Sequence, residues 1–158
     1  MQRHPMTPAG HKTLTATLKH LKETVRPQIV KDIEEARAHG DLSENSEYED
    51  AKERQSLTEG RVRDIESKLT ASEIIDVTKL EASGRVVFGV TVVVEDLETE
   101  IETKYRIVGE DESDVKAGLI SVRSPIARAM IGREVDDEVT VRAPGGDRKM
   151  VITDVQYI

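Results

Sequence analysis

The sequence predicts an α+β chain in two parts: a long antiparallel α-helical coiled-coil hairpin over residues 1–76, then a compact antiparallel sheet with one short helix over 77–158. Three observations carry this. Apolar residues recur at three- and four-residue steps through the first half, the period of a helix face. A short polar turn around Gly40 separates two such stripes. From about residue 76 the pattern changes to β-rich runs bounded by polar turns.

The first stripe runs Leu14, Leu18, Leu21, Val25, Ile29, Ile33, Ala36. The second runs Tyr48, Ala51, Gln55, Thr58, Val62, Ile65, Leu69, which is the heptad spacing of a coiled-coil seam. Two such helices joined by a short turn pair antiparallel, and arms of roughly 26 to 28 residues extend on the order of 40 Å at about 1.5 Å per residue. Pro27 interrupts the first stripe; it removes a backbone donor and presses on the preceding turn, so a kink or break is expected near Arg26. Gln55 and Thr58 stand where a stable seam prefers Leu, so the hairpin is expected to be held less firmly toward its turn.

The turn segment ARAHGDLSENSEYE, residues 36–49, reads in two ways. As structure, Gly40 ends the first helix in the left-handed conformation. Asp41 caps the second, and Glu44 reaches back in the manner of a capping box. As chemistry, Asp41 and Glu44 stand three apart on one face at the end of the rod, and two carboxylates can hold a Mg²⁺ that keeps most of its waters. Such a pair is weak alone and becomes useful on entering a pocket that already holds one Mg²⁺ and a phosphodiester.

In the second half, RVVFGVTVVVEDL and IETKYRIVG read as strands joined through an acidic loop. SPIARAMIG reads as a short helix, with Ser124 as cap, Pro125 at its first position and Gly132 just past its end. EVTVRAPGGDRKMVITDVQYI closes the chain as two strands around a Pro-Gly-Gly turn.

Composition narrows the function. A net charge of −8, with neither half a basic arm, argues against a protein that coats nucleic acid, because such binding draws on many cations. One Phe, three Tyr and no Trp leave little for stacking bases. The absence of cysteine excludes disulfides and thiolate metal sites. The run VVFGVTVVV is far short of the roughly 18 residues of a membrane span, and the N-terminal segment lacks a signal peptide's apolar core. A cytoplasmic, unanchored monomer is expected.

The segment ARAHGDLSENSEY resembles the tip signature of the bacterial Gre transcript cleavage factors. MTPAGHKTLTATLKHLK, RPQIVKDIEEAR, EGRVRDIESKL, IIDVTK, YRIVGEDE, ISVRSPIARAMIGREVDD and the closing APGG are similar to the GreA branch, in order along essentially the whole chain. The resemblance implies a C-terminal domain of FKBP-like fold that docks on bacterial RNA polymerase, through a segment matching Ser124 and Pro125. It implies a coiled coil whose tip acids, matching Asp41 and Glu44, reach through the secondary channel. There they help to hold a Mg²⁺ shared with the polymerase, which then cuts the 3′ end of a backtracked RNA; no cofactor is tightly bound. The family's basic patch falls on Arg37 and Lys52; these and Arg54 read either as contacts to the RNA backbone or as a solvated helix face with local ion pairs, the second reading favoured for Arg54 and the first for Arg37 and Lys52. Tyr48 fits the seam or a tip contact, and His39 a helix-end charge. Some relatives carry an acid where this chain has Arg123.

Three rival functions are weighed. A stand-alone Mg²⁺ phosphodiesterase lacks an apparent base or further ligands. A prolyl isomerase of FKBP type has only Phe88, Tyr105 and Tyr157 to line its pocket. A Gre-like inhibitor of polymerase carries an altered tip, whereas Asp41 and Glu44 are both present here.

Overall fold

A computed structural model describes residues 3–40 and 45–158. The chain divides into two compact units, residues 11–72 and residues 3–10 with 73–158. The expected division after residue 76 therefore moves by four residues, and the N-terminal segment joins the second unit.

The first unit is helical. Helix α1 (Pro8–His20) passes through one π turn (Leu21–Val25) into α2 (Arg26–Ala38), and α3 (Ser46–Thr70) returns beside them. At the expected site near Pro27 the helix does not break: His20, Val25 and Arg26 keep helical backbone angles, and the Arg26 N–H donates to Leu21 O, five residues back. Pro27 has no N–H for the usual i−4 bond and its ring crowds the carbonyl there. A wider turn just before it absorbs both effects without ending the helix.

The seam forms from the residues of the two stripes, in two clusters. Leu21, Val62 and Ile65 are buried with Leu14, Leu18, Val25 and Leu69 around them. Nearer the turn, Ile29, Ile33 and Ala51 are buried with Val25 and Tyr48. Gln55 and Thr58 fall between the two and belong to neither, so the seam thins where their polar side chains replace Leu. Beside this gap a surface cleft opens between Thr24, Val25, Gln28, Ile29, Arg54, Leu57 and Thr58. Cross-helix ion pairs flank the seam, Lys22 with Glu66, Arg26 with Glu59 and Arg54 with Asp32.

The second unit is built on a five-stranded sheet, β3 (Thr91–Asp96), β4 (Glu102–Val108), β5 (Leu119–Ser121), β6 (Glu138–Ala143) and β7 (Gly146–Gln156), in the order β5-β4-β3-β7-β6. A separate ribbon pairs β1 (His4–Met6) with β2 (Ser72–Ile74), and the Ile75 N–H donates to Met6 O at 2.9 Å. The two expected hairpins are present, with β3 antiparallel to β4 and β6 to β7. Helix α4 (Pro125–Met130) is capped as read, with Ser124 Oγ accepting the Ala127 N–H at 3.3 Å and Gly132 at φ +87°.

Three points differ from expectation. The sheet is mixed, because β5 pairs parallel to β4 with Ile107 opposite Ile120. Residues 85–90 are not strand: Gly89 takes φ +90° and turns the chain into β3, and a side chain there would meet Val77 Cγ1 at 2.7 Å. The β3–β7 pairing carries a bulge, with Val93 opposite Asp154 and Val94 opposite Ile152, and the Thr153 hydroxyl donates to Val93 O.

The core under the sheet holds Val92, Val94, Ile107, Ile120, Val139, Val141, Met150 and Ile152, closed by Ala127 and Met130 of α4. Ile107, Met130 and Ile152 are fully buried. Each contributes about 1.5–3 kcal/mol relative to an exposed side chain.

The N-terminal segment is latched to this unit by Glu112. Its carboxylate accepts from the Gly109 N–H at 2.8 Å and the Thr7 N–H at 3.1 Å, and takes a short hydrogen bond from the Thr7 hydroxyl. That hydroxyl in turn accepts the Gly10 N–H at 3.1 Å.

Candidate functional site

The candidate site is the closed end of the hairpin. Helix α2 finishes as the stripe predicts, with the His39 N–H on Ala36 O at 3.2 Å, the Gly40 N–H on Arg37 O at 3.3 Å, and Gly40 at φ +107°. Asp41 and Glu44 lie outside the described residues, so the expected metal pair has no geometry to report.

The residue that caps α3 is Asn45, not Asp41. The backbone of Asn45 is extended, its Oδ1 accepts the Tyr48 N–H at 3.1 Å, and its carbonyl accepts the Glu49 N–H at 3.1 Å. The expected capping box is thereby corrected, since helix geometry begins at Ser46 and leaves Glu44 one position before the cap. The other end of the same amide crosses to the first helix, where Nδ2 donates to Ala36 O at 2.6 Å. Asn45 was the functional candidate missed in the sequence. Its signal was present, an Asn followed three residues later by a seam residue, but Asp41 and Glu44 offer the same cap spacing.

Around this clasp the charges are distributed unevenly. Glu47 and Glu49 stand in the first turn of α3, the end of a helix that favours negative charge. His39 Nδ1 lies 3.6 Å from Glu47 Oε2, both well exposed. His39 is the residue that ends α2. Tyr48 belongs to the seam cluster of Ile29, Ile33 and Ala51, and the Arg37 guanidinium sits over its ring at 5.9 Å from the centroid. An aromatic face favours a cation at that distance. Of the basic residues, Lys52 donates to Gln55 Oε1 at 3.1 Å, and Arg54 is ion-paired with Asp32 Oδ2 at 3.1 Å. Arg37 and Lys52 thus meet no carboxylate in the described contacts, whereas Arg54 is partnered on its own hairpin.

The residues expected to dock, Ser124 and Pro125, fall in the other unit. Ser124 is partly used, as the cap of α4, while Pro125 is exposed at its first position. Arg123 has Glu110 Oε2 3.9 Å from its Nε. Among the described residues no three His, Asp or Glu side chains come together as a metal site, and no helix is long and apolar enough to cross a membrane.

Two family models match, "Transcription elongation factor, N-terminal" over residues 4–74 and "Transcription elongation factor, GreA/GreB, C-term" over residues 81–157. The chain belongs to the GreA/GreB family of transcription elongation factors. Its relatives place this elongation factor with the GreA members. It is 53% identical to the GreA of Neisseria meningitidis serogroup A over 158 residues, the whole of both chains. It is 55% identical to that of Francisella philomiragia over 98% of this chain and 97% of the relative, and 54% identical to that of Thioalkalivibrio sulfidiphilus over the whole of both. Among solved structures, Gfh1 of Thermus thermophilus aligns over 98% of this chain and 99% of its own at 25% identity, with a TM-score of 0.44. The inhibitor and isomerase readings are not favoured by this membership.

Proposed function

We propose that this elongation factor docks on bacterial RNA polymerase through its sheet unit, by the segment containing Ser124 and Pro125. Its hairpin then enters the secondary channel to stimulate cleavage of backtracked RNA 3′ ends. The supporting observation is that Asp41 and Glu44, at positions matching the family's tip acids, fall between the end of α2 and the cap of α3. Their carboxylate oxygens are the hard donors that Mg²⁺ takes. Asp41 and Glu44 would hold that ion jointly with the polymerase, and it supplies charge stabilisation at the phosphodiester.

The remaining work falls to this chain's own residues. Asp41 and Glu44 accept hydrogen bonds from the attacking water and orient it. Arg37 and Lys52 steer the RNA 3′ end by charge. Donated groups of this kind act by positioning, and a thousandfold effect on rate needs only about 4 kcal/mol. Because the polymerase performs the cleavage, the factor is not itself an enzyme, and it acts as a cytoplasmic monomer.

The test adds wild type, Asp41→Ala or Glu44→Ala to stalled, backtracked polymerase and measures shortened transcripts. Loss of stimulation in both variants, with binding to polymerase intact, is expected. Unchanged cleavage by both would remove the metal-positioning role, and RNA cleavage by the factor without polymerase would overturn the accessory role.

A further inference from the structure

Capping α3 requires only an acceptor, and Ser, Thr or Asp at position 45 would supply one as well as Asn does. What Asn adds is a donor, and that donor is used: Nδ2 reaches Ala36 O at 2.6 Å while Oδ1 holds the Tyr48 N–H at 3.1 Å. Ala36 O is one of the terminal carbonyls of α2 that lack a full set of helical partners. A single amide on Asn45 therefore ties Ala36, in the last turn of α2, to Tyr48, in the first turn of α3. The seam itself does not depend on this bond, because Ile29, Ile33 and Ala51 pack beneath it.

We propose that Asn45 is a positioning residue for transcript cleavage. Its amide bridge holds the last turn of α2 to the first turn of α3, the two described elements that flank Asp41 and Glu44 in sequence. The inference rests on the role proposed for those two acids. Ligands donated to another protein's site must arrive at the right distance, and a misplacement of about 1 Å can cost on the order of a hundredfold in rate.

Two variants separate the bridge from the cap. Asn45→Ser keeps a neutral acceptor for the Tyr48 N–H and is too short to reach Ala36 at the same time. Asn45→Ala removes both bonds. Each is compared with wild type and Asp41→Ala on stalled, backtracked polymerase, at saturating factor and over a titration of Mg²⁺, with helicity followed by circular dichroism.

The expected result is a saturating cleavage rate lowered by about tenfold in Asn45→Ser. The factor concentration giving half the maximal rate should stay at the wild-type value, and the Mg²⁺ concentration needed should be raised. Should Asn45→Ala unwind the first turn of α3, Asn45→Ser still carries the test. Wild-type cleavage by Asn45→Ser overturns the proposal, as does a slower rate with an unchanged Mg²⁺ requirement. Retained stimulation by Asp41→Ala would instead sink the function proposed above, and is read separately.

Discussion

The guanidinium of Arg26 meets the carboxylate of Glu59 at two points, Nε to Oε1 at 2.7 Å and Nη2 to Oε2 at 2.8 Å. The pair joins the first residue of α2, directly after the π turn, to the middle of α3. The hydrogen bond from Arg26 is the main cause holding the Glu59 carboxyl below its usual range. Farther toward the turn Asp32 is also lowered, first by the Gln28 amide and then by Arg54.

These shifts set a sign for the effect of pH. A carboxyl whose folded value is depressed stabilises the fold at pH above its unfolded value, about 4, and that contribution is lost as pH falls through the lower folded value. The hairpin is therefore expected to hold its full share of this stability at neutral pH and to lose it progressively below about pH 4. Thermal melts followed at 222 nm across that range check this. Glu59→Gln should lower the neutral-pH melting temperature and flatten the acid dependence.

Gly10 offers a test in which two effects oppose each other. It lies inside α1, where Ala is better than Gly by about 1 kcal/mol. A Cβ at this position, however, would run into the Glu112 side chain, which its bonds to Thr7 and Gly109 prevent from moving away. Overpacking of this kind costs about 1–3 kcal/mol, so Gly10→Ala should destabilise the sheet unit in urea unfolding. Adding Glu112→Ala should relieve the clash, and simple additivity of the two changes would refute that account.

Thr58→Leu should act in the opposite direction. Thr58 lies in the gap between the two seam clusters and lines the cleft with Val25 and Ile29. A Leu there buries added apolar surface worth about 1 kcal/mol. Slower amide exchange in the outer half of α3 is the expected outcome, and unchanged exchange would show that the gap does not limit the hairpin's stability.

Among the basic residues, Arg54→Ala should change transcript cleavage by no more than about twofold, because an exposed ion pair contributes little. Lys52→Ala and Arg37→Ala should each weaken cleavage in a salt-dependent way, as expected of charges that act on phosphate. Equal losses from all three, measured at two salt concentrations, would place Arg54 among the RNA contacts.

The helices, the seam, the capped α4 and the two hairpins were legible because each repeats a period or carries a paired stop signal. Leu14 through Ala36 mark one face seven times, and Ser124 with Pro125 opens a helix that Gly132 ends. Strands β1, β2 and β5 have three residues each, too few for an alternation to appear. The parallel pairing of β5 depends on partners distant in sequence, which a local pattern does not encode. Pro27 marked the site of an irregularity correctly, but whether a helix breaks or widens depends on the helix packed against it. At the candidate site the acids were visible as a spaced pair. The cap role of Asn45 was open to a local reading, but its bond to Ala36 was not, because that donor acts on a carbonyl nine residues earlier in sequence, across the turn.

The Met6 to Ile75 backbone bond has a consequence for how the chain can be divided. Since residues 3–10 and 73–158 form one unit, the hairpin is an insertion within the sheet unit rather than a segment preceding it. Truncating the N-terminus to isolate the sheet would strip away β1 and the Thr7 partner of Glu112. Excising 11–72 and rejoining the chain with a short linker preserves both, because β1 and Thr7 stay in the chain. The same architecture makes the hairpin an exchangeable cassette, so rods of other lengths or tips can be set on one unchanged base.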